Sequence, residues 1–334
     1  MRANGMIDLP AIVIAFLVGF AMKYGGLCTY AAAQQIIREK RFERLLAFLG
    51  AAGWATLLVV PLAWLQPEVL RLSATHDQWN MVLLGGVLLG AGAWLNRGCV
   101  FGTFVQLTGG NLNYVATLVG MVAGAVLARY GLSDMAPLRT ESTLVAEPGT
   151  AAIFWLAVAA LPALSRTVAW SSQAATRRLQ WQPLPTVLVA VILGAGGGWL
   201  FGTVNGWDFA SVLMRYAWHS LHLTTTSPTA LAVGCTLAMV AGGVTAAVRQ
   251  SRFNWQAPAM GTAMACLGGG MLMGLAAVIL PGGNDGLLLS GIPGMAPHAL
   301  LGFVVMLASI LLLLALLPND KGFSIGGRMS AHGR

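Results

Sequence analysis

The sequence predicts an all-α polytopic membrane protein of about nine transmembrane helices, and three observations lead to this fold class. Of the 334 residues, 57% are hydrophobic and only 9% are charged, whereas soluble domains carry roughly 25% charged residues. The charges cluster between apolar runs of about 20 residues, the length that crosses a bilayer core of about 30 Å. The net charge of +8 is spread over these short connections, which argues against a nucleic-acid-binding face.

Nine apolar stretches are predicted to be membrane spans. They cover residues 7–25, 45–65, 81–96, 112–130, 151–164, 186–202, 229–248, 257–280 and 299–317. The first stretch resembles a signal peptide in length, but one arginine precedes it and a small-residue cleavage site is missing. We therefore expect it to be retained as a span.

Basic and acidic connections alternate along the chain, and this alternation predicts the orientation. The basic residues are Arg38, Lys40, Arg41, Arg44, Arg166, Arg177, Arg178, Arg249 and Arg252, with Lys321, Arg328 and Arg334 in the tail. The acidic residues of the alternate connections are Glu68, Asp77, Asp134, Glu141, Glu147 and Asp208. Because cytoplasmic loops are enriched in Lys and Arg, residues 38–44, 166–185 and 249–256 are predicted to be cytoplasmic and residues 131–150 external. The N-terminus is then outside and the C-terminus cytoplasmic.

An internal repeat divides the predicted domain into two halves. Residues 85–102 align with residues 269–286, and seven of the 18 positions are identical, five of them glycines. This offset relates spans one to four to spans six to nine, so the halves run through the membrane in opposite directions. We predict one integral membrane domain over residues 1–334. It comprises a first repeat (1–130), a connecting span and cytoplasmic loop (131–185), an inverted second repeat (186–317) and a cytoplasmic tail (318–334).

Glycine-rich breaks follow the third span of each half, at residues 96–111 and 281–297. Irregular backbone at membrane depth is tolerated where it lines a polar cavity, so these breaks are predicted to dip into the membrane and approach each other. Their polar residues are Asn96, Arg97, Thr103, Gln106, Thr108, Asn111 and Asn113 in the first, and Asn284, Asp285 and Ser290 in the second. The alternative is that both breaks are loops at the membrane surface.

Three further polar features have two interpretations each. Arg97 is either an anion-attracting group at the mouth of a break or a cytoplasmic anchor. Asp208 is interpreted as a rim or capping residue in preference to a coupling-ion site. His219 and His222 lie on a predicted amphipathic stretch, 207–223, whose aromatic residues suit a membrane interface better than metal binding.

The four cysteines have different surroundings. The sequence contains no CxxC motif and no histidine at ligand spacing, so zinc sites and disulfide frameworks lack support. Cys28 and Cys99 lie at glycine breaks and are predicted to face a pathway, where a thiol suits brief contact with a soft sulfur ligand. Cys235 and Cys266 lie in apolar helical runs and are predicted to serve packing.

The motifs Gly26-Leu27-Cys28, Arg97-Gly98-Cys99-Val100-Phe101-Gly102 and Gly270-Met271-Leu272-Met273-Gly274, with Pro281-Gly282-Gly283-Asn284, resemble the YeeE/YedE family of bacterial inner-membrane sulfur transporters. The resemblance implies import of thiosulfate through an hourglass-shaped bundle, along three successive cysteines. Two of these match Cys28 and Cys99. The third belongs to a Pro-Gly-Cys-Asn motif, and here Gly283 stands in its place.

The sequence therefore predicts a permease that imports a small sulfur-containing anion, with thiosulfate as the family's expected substrate. Its predicted pathway residues are Cys28, Arg97, Gly98, Cys99, Gly102, Gly282, Gly283 and Asn284. Alternatives are a permease for another sulfur or selenium oxyanion and a thiol-dependent membrane redox protein. We expect no enzyme activity, cofactor, metal or nucleic acid, and the resemblance adds a cytosolic sulfur-carrier protein as a partner. At Gly283 we expect alanine to be tolerated and cysteine to favour thiosulfate.

Overall fold

The computed structural model describes residues 5–70, 72–131, 139–140, 147–176, 186–204, 207–280 and 282–317. Its helices are α1 (Gly5–Gly25), α2 (Thr29–Glu39), α3 (Glu43–Leu65), α4 (Trp79–Asn96), α5 (Val100–Leu107), α6 (Asn113–Gly131), α7 (Thr150–Thr176), α8 (Thr186–Val191), α9 (Gly197–Thr203), α10 (Phe209–Ser220), α11 (Ala230–Arg249), α12 (Met260–Ile279), α13 (Gly283–Gly286) and α14 (Pro297–Leu316). Two π-helical turns, Ile192–Gly196 and Leu287–Gly291, follow α8 and α13. Strands β1 (Thr75–His76) and β2 (Arg139–Thr140) pair antiparallel.

Each of the nine predicted spans coincides with helical structure. Seven helical segments of the described chain are long and apolar enough to cross a membrane: Leu9–Glu39, Glu43–Leu65, Trp79–Leu107, Asn113–Gly131, Ala230–Arg249, Met260–Ile279 and Pro297–Leu316. The other two predicted spans correspond to shorter apolar helices, Thr150–Leu164 and Val187–Thr203. The predicted all-α polytopic membrane fold is confirmed.

The connections between the long helices gather on two opposite faces. On one, which we call the Arg252 face, the Asn254 amide donates to Gly109 O at 2.9 Å and the Leu112 amide to Gln256 O at 3.1 Å. On the other, the His76 face, the rings of His76 and His298 meet edge to face at 4.6 Å. Helices α3, α4 and α6 therefore alternate in direction between the two faces.

The basic connections share one face. Residues 38–44 and 249–256 lie on the Arg252 face, and the acidic connection that carries Glu68 and Asp77 lies on the His76 face. Part of the charge pattern that predicted this arrangement, residues 132–138, 141–146, 177–185 and 318–334, lies outside the described residues. Pro281, the first residue of the predicted second break, does too.

Glycines allow the long helices to pack backbone against backbone. A Cβ atom on Gly120 would lie 2.1 Å from Leu267 O, and one on Gly274 would lie 2.0 Å from Met121 O, so α6 and α12 touch along one seam. A Cβ on Gly242 of α11 would likewise collide with Phe16 O of α1. Such close small-residue seams hold helices together in lipid, where burial of apolar surface from water provides little driving force.

Four short helices follow the ends of other helices. Helices α2, α5 and α13 come after α1, α4 and α12, and α10 comes after α9. Helix α5 contacts α2 and α13 as well as its neighbour α6, so helical segments from both halves of the chain meet within the bundle. The candidate site lies where these helices begin.

Candidate functional site

Two cysteine thiols from different breaks lie side by side in the interior. Cys28 is the residue before α2 and Cys99 the residue before α5, and both are free thiols. Their exposed fractions are 0% and 1%, and Cys99 Sγ approaches Cys28 Sγ to 3.5 Å. A left-handed residue, Gly26 (φ 58°), turns the chain back inward after α1 and so brings Cys28 to this point.

Backbone donors surround the thiol pair. The Thr29 amide donates to Cys99 Sγ at 3.3 Å, and the amides of Ala31 and Gly102 interact with Cys28 and Cys99, respectively. Because α2 and α5 both begin here, the positive ends of two helix dipoles point at the sulfur atoms. The arrangement favours negative charge next to the thiols.

Asn284 brings the second break to the same place. Thr29 Oγ1 donates to Asn284 Oδ1 at 3.3 Å. The Asn284 side chain is 1% exposed, and its Nδ2 donor has no hydrogen-bond partner among the described residues. An unpaired buried donor costs about 1–3 kcal/mol, so this amide is a ready partner for the acceptor atoms of a ligand.

The two glycines before Asn284 set the local backbone. Gly282 and Gly283 both have left-handed φ angles, 96° and 54°. A Cβ on Gly283 would meet only ordinary contacts, 3.5 Å to Asp285 Oδ1 and 3.8 Å to Ala277 Cβ. There is room for a side chain, but any L residue at this φ is strained by about 1–2 kcal/mol. That alanine is tolerated at Gly283 stays a prediction, and the fold would have to absorb this strain.

The first break is held by Asn96. Its Nδ2 donates to Gly98 O at 2.7 Å and to Thr103 Oγ1 at 3.0 Å, and its Oδ1 accepts from Thr117 Oγ1 at 2.6 Å. These bonds fix Gly98 and the start of α5 against α6. Asn96 and Thr103, which the sequence places among the polar residues of the first break, hydrogen-bond to each other and orient Cys99.

Arg97 ends α4 in a left-handed conformation. Its φ is 55°, and the amide of Gly98 closes the helix on Ala93 O at 2.9 Å. Arginine is an unfavourable residue for this position, which usually takes glycine. Its guanidinium is half-buried, and Nε has no hydrogen-bond partner among the described residues. Arg97 thus supplies a second donor that a bound anion would satisfy.

A cavity of about 850 Å³ connects the His76 face with the dipping helices. Its wall includes Ser73, His76 and Thr224 near that face and Val100, Gly283 and Asp285 at depth. Val100 directly follows Cys99, so the cavity reaches the residue next to the thiol pair. Basic side chains of Arg129 and Arg215 also line it.

Two aspartates meet on the wall of this cavity. Asp208 caps α10, accepting the Ser211 amide at 2.7 Å, as the capping interpretation predicted. It is only 6% exposed, and its carboxyl group interacts with that of Asp285, which is 4% exposed and lines the same cavity. The sequence analysis missed this pairing. A signal was present, since each aspartate lies at the start of a short helix, as the two pathway cysteines do.

The remaining predictions have mixed outcomes. Cys235 and Cys266 are buried in α11 and α12 and do not line the cavity. Tyr216 is 62% exposed, but Trp207 is buried and donates through Nε1 to Ala232 O at 3.0 Å, so its interfacial assignment is wrong. Trp207 is buried because the chain turns into the bundle before α10. Among the described residues, His, Cys, Asp and Glu side chains form no cluster of three or more that could hold a metal ion.

Comparison with known proteins identifies the family to which this chain belongs. A comparison with curated proteins gives no match. The family model described as sulphur transport matches residues 24–312, which include both thiols, the Asn284 turn and the aspartate pair. The resemblance carried by the cysteine and glycine motifs is therefore confirmed, and the chain, a multi-pass membrane protein, belongs to the YeeE/YedE family of sulfur transporters.

Proposed function

We propose that the protein is a permease that imports thiosulfate through the cavity and past the thiol pair. The observation that carries this proposal is the contact of Cys28 with Cys99, at 3.5 Å, between two helix N-termini and below a cavity whose wall includes Arg129 and Arg215. A site of this kind attracts an anion and offers it sulfur as a contact. Sulfur transport by the family is consistent with both properties.

The proposed path begins at the His76 face. Arg129 and Arg215 draw the anion into the cavity, which also reaches Val100 and Gly283. The anion next contacts Cys99 and Cys28 and then the guanidinium of Arg97, from which it leaves at the Arg252 face. Gly98 and Gly102 keep side chains away from this stretch, and Gly282 and Gly283 form the turn that presents Asn284.

Thiosulfate fits the donors at the narrow point. Its terminal sulfur is soft and polarisable, and thiols make weak hydrogen bonds of matching character. Its oxygens accept hydrogen bonds, and Asn284 Nδ2 and Arg97 Nε are buried donors without partners among the described residues. Weak, successive contacts let an ion enter and also leave, as conduction requires.

Orientation and domain structure complete the proposal. The Arg252 face is cytoplasmic by the excess of Lys and Arg in its connections, which puts the N-terminus outside and the C-terminus inside a bacterial plasma membrane. The halves 1–130 and 186–317 are inverted repeats joined by residues 131–185. The contact of α6 with α12 corresponds in this scheme to that of α14 with α4, and both occur. A cytosolic sulfur carrier receives the imported sulfur at the Arg252 face.

The thiol distance also favours a second candidate, a membrane redox protein in which Cys28 and Cys99 form a disulfide. One experiment separates the two. Purified protein in liposomes is given labelled thiosulfate, sulfite and selenite in parallel, and uptake is measured together with thiol oxidation. The permease proposal expects thiosulfate uptake while both thiols stay reduced. Thiol oxidation linked to chemical conversion of the anion, without uptake, would favour the redox protein.

A further inference from the structure

Asp208 and Asp285 line the same cavity, and both side chains are more than nine-tenths buried. Their carboxyl groups are close enough to interact with each other. Burial and like charge both disfavour a second ionised carboxylate in such a pair. The pair is therefore suited to hold one proton.

The groups that face the pair come from several elements. On α10, Ser211 donates to Asp208 and the guanidinium of Arg215 attracts it. His298 of α14, His76 of β1 and Arg129 of α6 line the same cavity. His298 is 1% exposed, and its Nδ1 has no hydrogen-bond partner among the described residues. A buried, unsatisfied imidazole in the same wall independently indicates that this cavity receives a ligand.

The pair is one residue away from the proposed anion path. Asp285 follows Asn284, whose Oδ1 accepts from Thr29, and the Thr29 amide in turn donates to Cys99 Sγ. An anion that passes Asn284 therefore passes the carboxyl pair. Two ionised carboxylates would repel it, whereas a protonated pair carries at least one negative charge fewer.

Import of an anion also works against the membrane potential. The cell interior is negative, so every negative charge that moves inward costs energy, and the cost doubles for a divalent anion. A proton that enters with the anion cancels one of these charges. A proton-binding group beside the path is the element that such coupling requires.

We propose that the Asp208–Asp285 pair binds a proton from the outer solution and that this proton enters with the anion, which makes the protein a proton–anion symporter. The proposal rests on the permease function above. In the step itself a proton leaves a hydronium ion of the external water and binds one carboxylate oxygen of the pair. It is released to cytoplasmic water after the anion has passed, and no electrons are transferred. By thermodynamic linkage, the factor by which a bound anion strengthens proton binding at the pair equals the factor by which protonation strengthens anion binding.

The test uses the full chain in liposomes that enclose a pH-sensitive dye, with labelled thiosulfate added outside. With one proton per anion, each unit of inward pH gradient changes the accumulation ratio about tenfold. Addition of thiosulfate should also acidify the lumen. Asp285→Asn and Asp208→Asn should abolish both effects, and asparagine at position 208 preserves the helix cap. The exposed acid Glu68, outside the cavity, supplies the control, and Glu68→Gln should retain both.

The outcomes separate this proposal from the one it rests on. Absence of thiosulfate uptake by the unmodified protein at every pH overturns the permease function. Uptake that neither follows the pH gradient nor acidifies the lumen leaves the permease intact and overturns symport. Because both readouts come from the unmodified chain, the result does not depend on whether the aspartate variants fold. If folded Asp285→Asn and Asp208→Asn proteins still couple thiosulfate uptake to the pH gradient, this pair is not the site that binds the transported proton.

Discussion

The two halves of the chain begin their short helices with different chemistry. In the first half, Cys28 and Cys99 precede α2 and α5 and touch each other through sulfur. In the second half, Asp208 precedes α10 and Asp285 lies in the first turn of α13, and these two touch through their carboxyl groups. One pair therefore offers soft, neutral contacts and the other a site for a proton.

This difference assigns separate tasks to the halves in the proposed mechanism. A thiol contacts an anion without repelling it, so the first half suits selection of a sulfur-bearing ion. A carboxyl pair tolerates an anion nearby only while it is protonated, so the second half suits energetic coupling. Gly283, where the family resemblance implies a third cysteine, fits this division, because its Cβ would lie 3.5 Å from Asp285 Oδ1.

The largest effect is expected from removal of the first pair. Cys99→Ala and Cys28→Ala should each lower thiosulfate uptake more than tenfold, measured in liposomes with equal amounts of folded protein. Cys99→Ala also leaves the buried Thr29 amide without its acceptor, at a cost of about 1–3 kcal/mol. If both variants still take up thiosulfate, the thiol pair does not select the ion, and the first half does not have the task assigned to it here.

A smaller effect on uptake, with an opposite effect on stability, is expected at Arg97. Glycine is the preferred residue at this left-handed position after a helix. Arg97→Gly should therefore raise the free energy of unfolding by about 1 kcal/mol, seen as a higher melting temperature in detergent. The same variant should lower uptake about fivefold, because the anion loses a cation below the thiol pair.

The matched variant Arg97→Lys retains the charge and should keep most of the uptake with little gain in stability. If Arg97→Gly transports normally, Arg97 is a membrane anchor and the second interpretation of the sequence holds. If Arg97→Gly is more stable but transports less, Arg97 is a residue that is held in a strained conformation because its side chain serves transport.

Gly283 lies between the thiol pair and the carboxyl pair on the proposed path, and its variants should have moderate effects on stability and on thiosulfate uptake. Both Gly283→Ala and Gly283→Cys should lower the free energy of unfolding by about 1–2 kcal/mol, since both place a Cβ at positive φ. The cavity wall has room for the thiol, so Gly283→Cys should exceed Gly283→Ala in thiosulfate uptake. Melting temperature and uptake of labelled thiosulfate and selenite measure the two effects separately. Equal uptake by both variants would exclude Gly283 from the ion's path.

The sequence predicted the membrane frame well because hydropathy and helix length are local properties. Each predicted span coincides with a helix, and the sequence already assigned Cys99 to a break and Cys266 to an apolar helical run. The predicted amphipathic stretch 207–223 contains α10, whereas the short helix α5 escaped prediction, because its 8 residues are not distinguishable from the end of a span. The contact of Asp208 with Asp285 depends on how two breaks pack, and local sequence patterns carry no information on that.

The smallest effects on uptake are expected from Cys235 and Cys266, the cysteines outside the pair. Their variants show whether transport depends on a thiol at the proposed path or on any buried cysteine. Cys235 and Cys266 are as buried as the paired thiols, with exposed fractions of 0% and 2%, but they lie within the long helices α11 and α12. A buried free cysteine in such a place acts as a small hydrophobe. Cys235→Ala and Cys266→Ala should therefore cost about 1 kcal/mol of stability through lost burial and leave uptake within twofold of the unmodified protein. Cys266 also neighbours Thr117, which holds Asn96, so any indirect effect on the first break should be larger for Cys266→Ala than for Cys235→Ala. A loss of uptake in either variant as large as that in Cys99→Ala would mean that the thiols act through packing, and the contrast between a sulfur pair and a carboxyl pair would no longer explain transport.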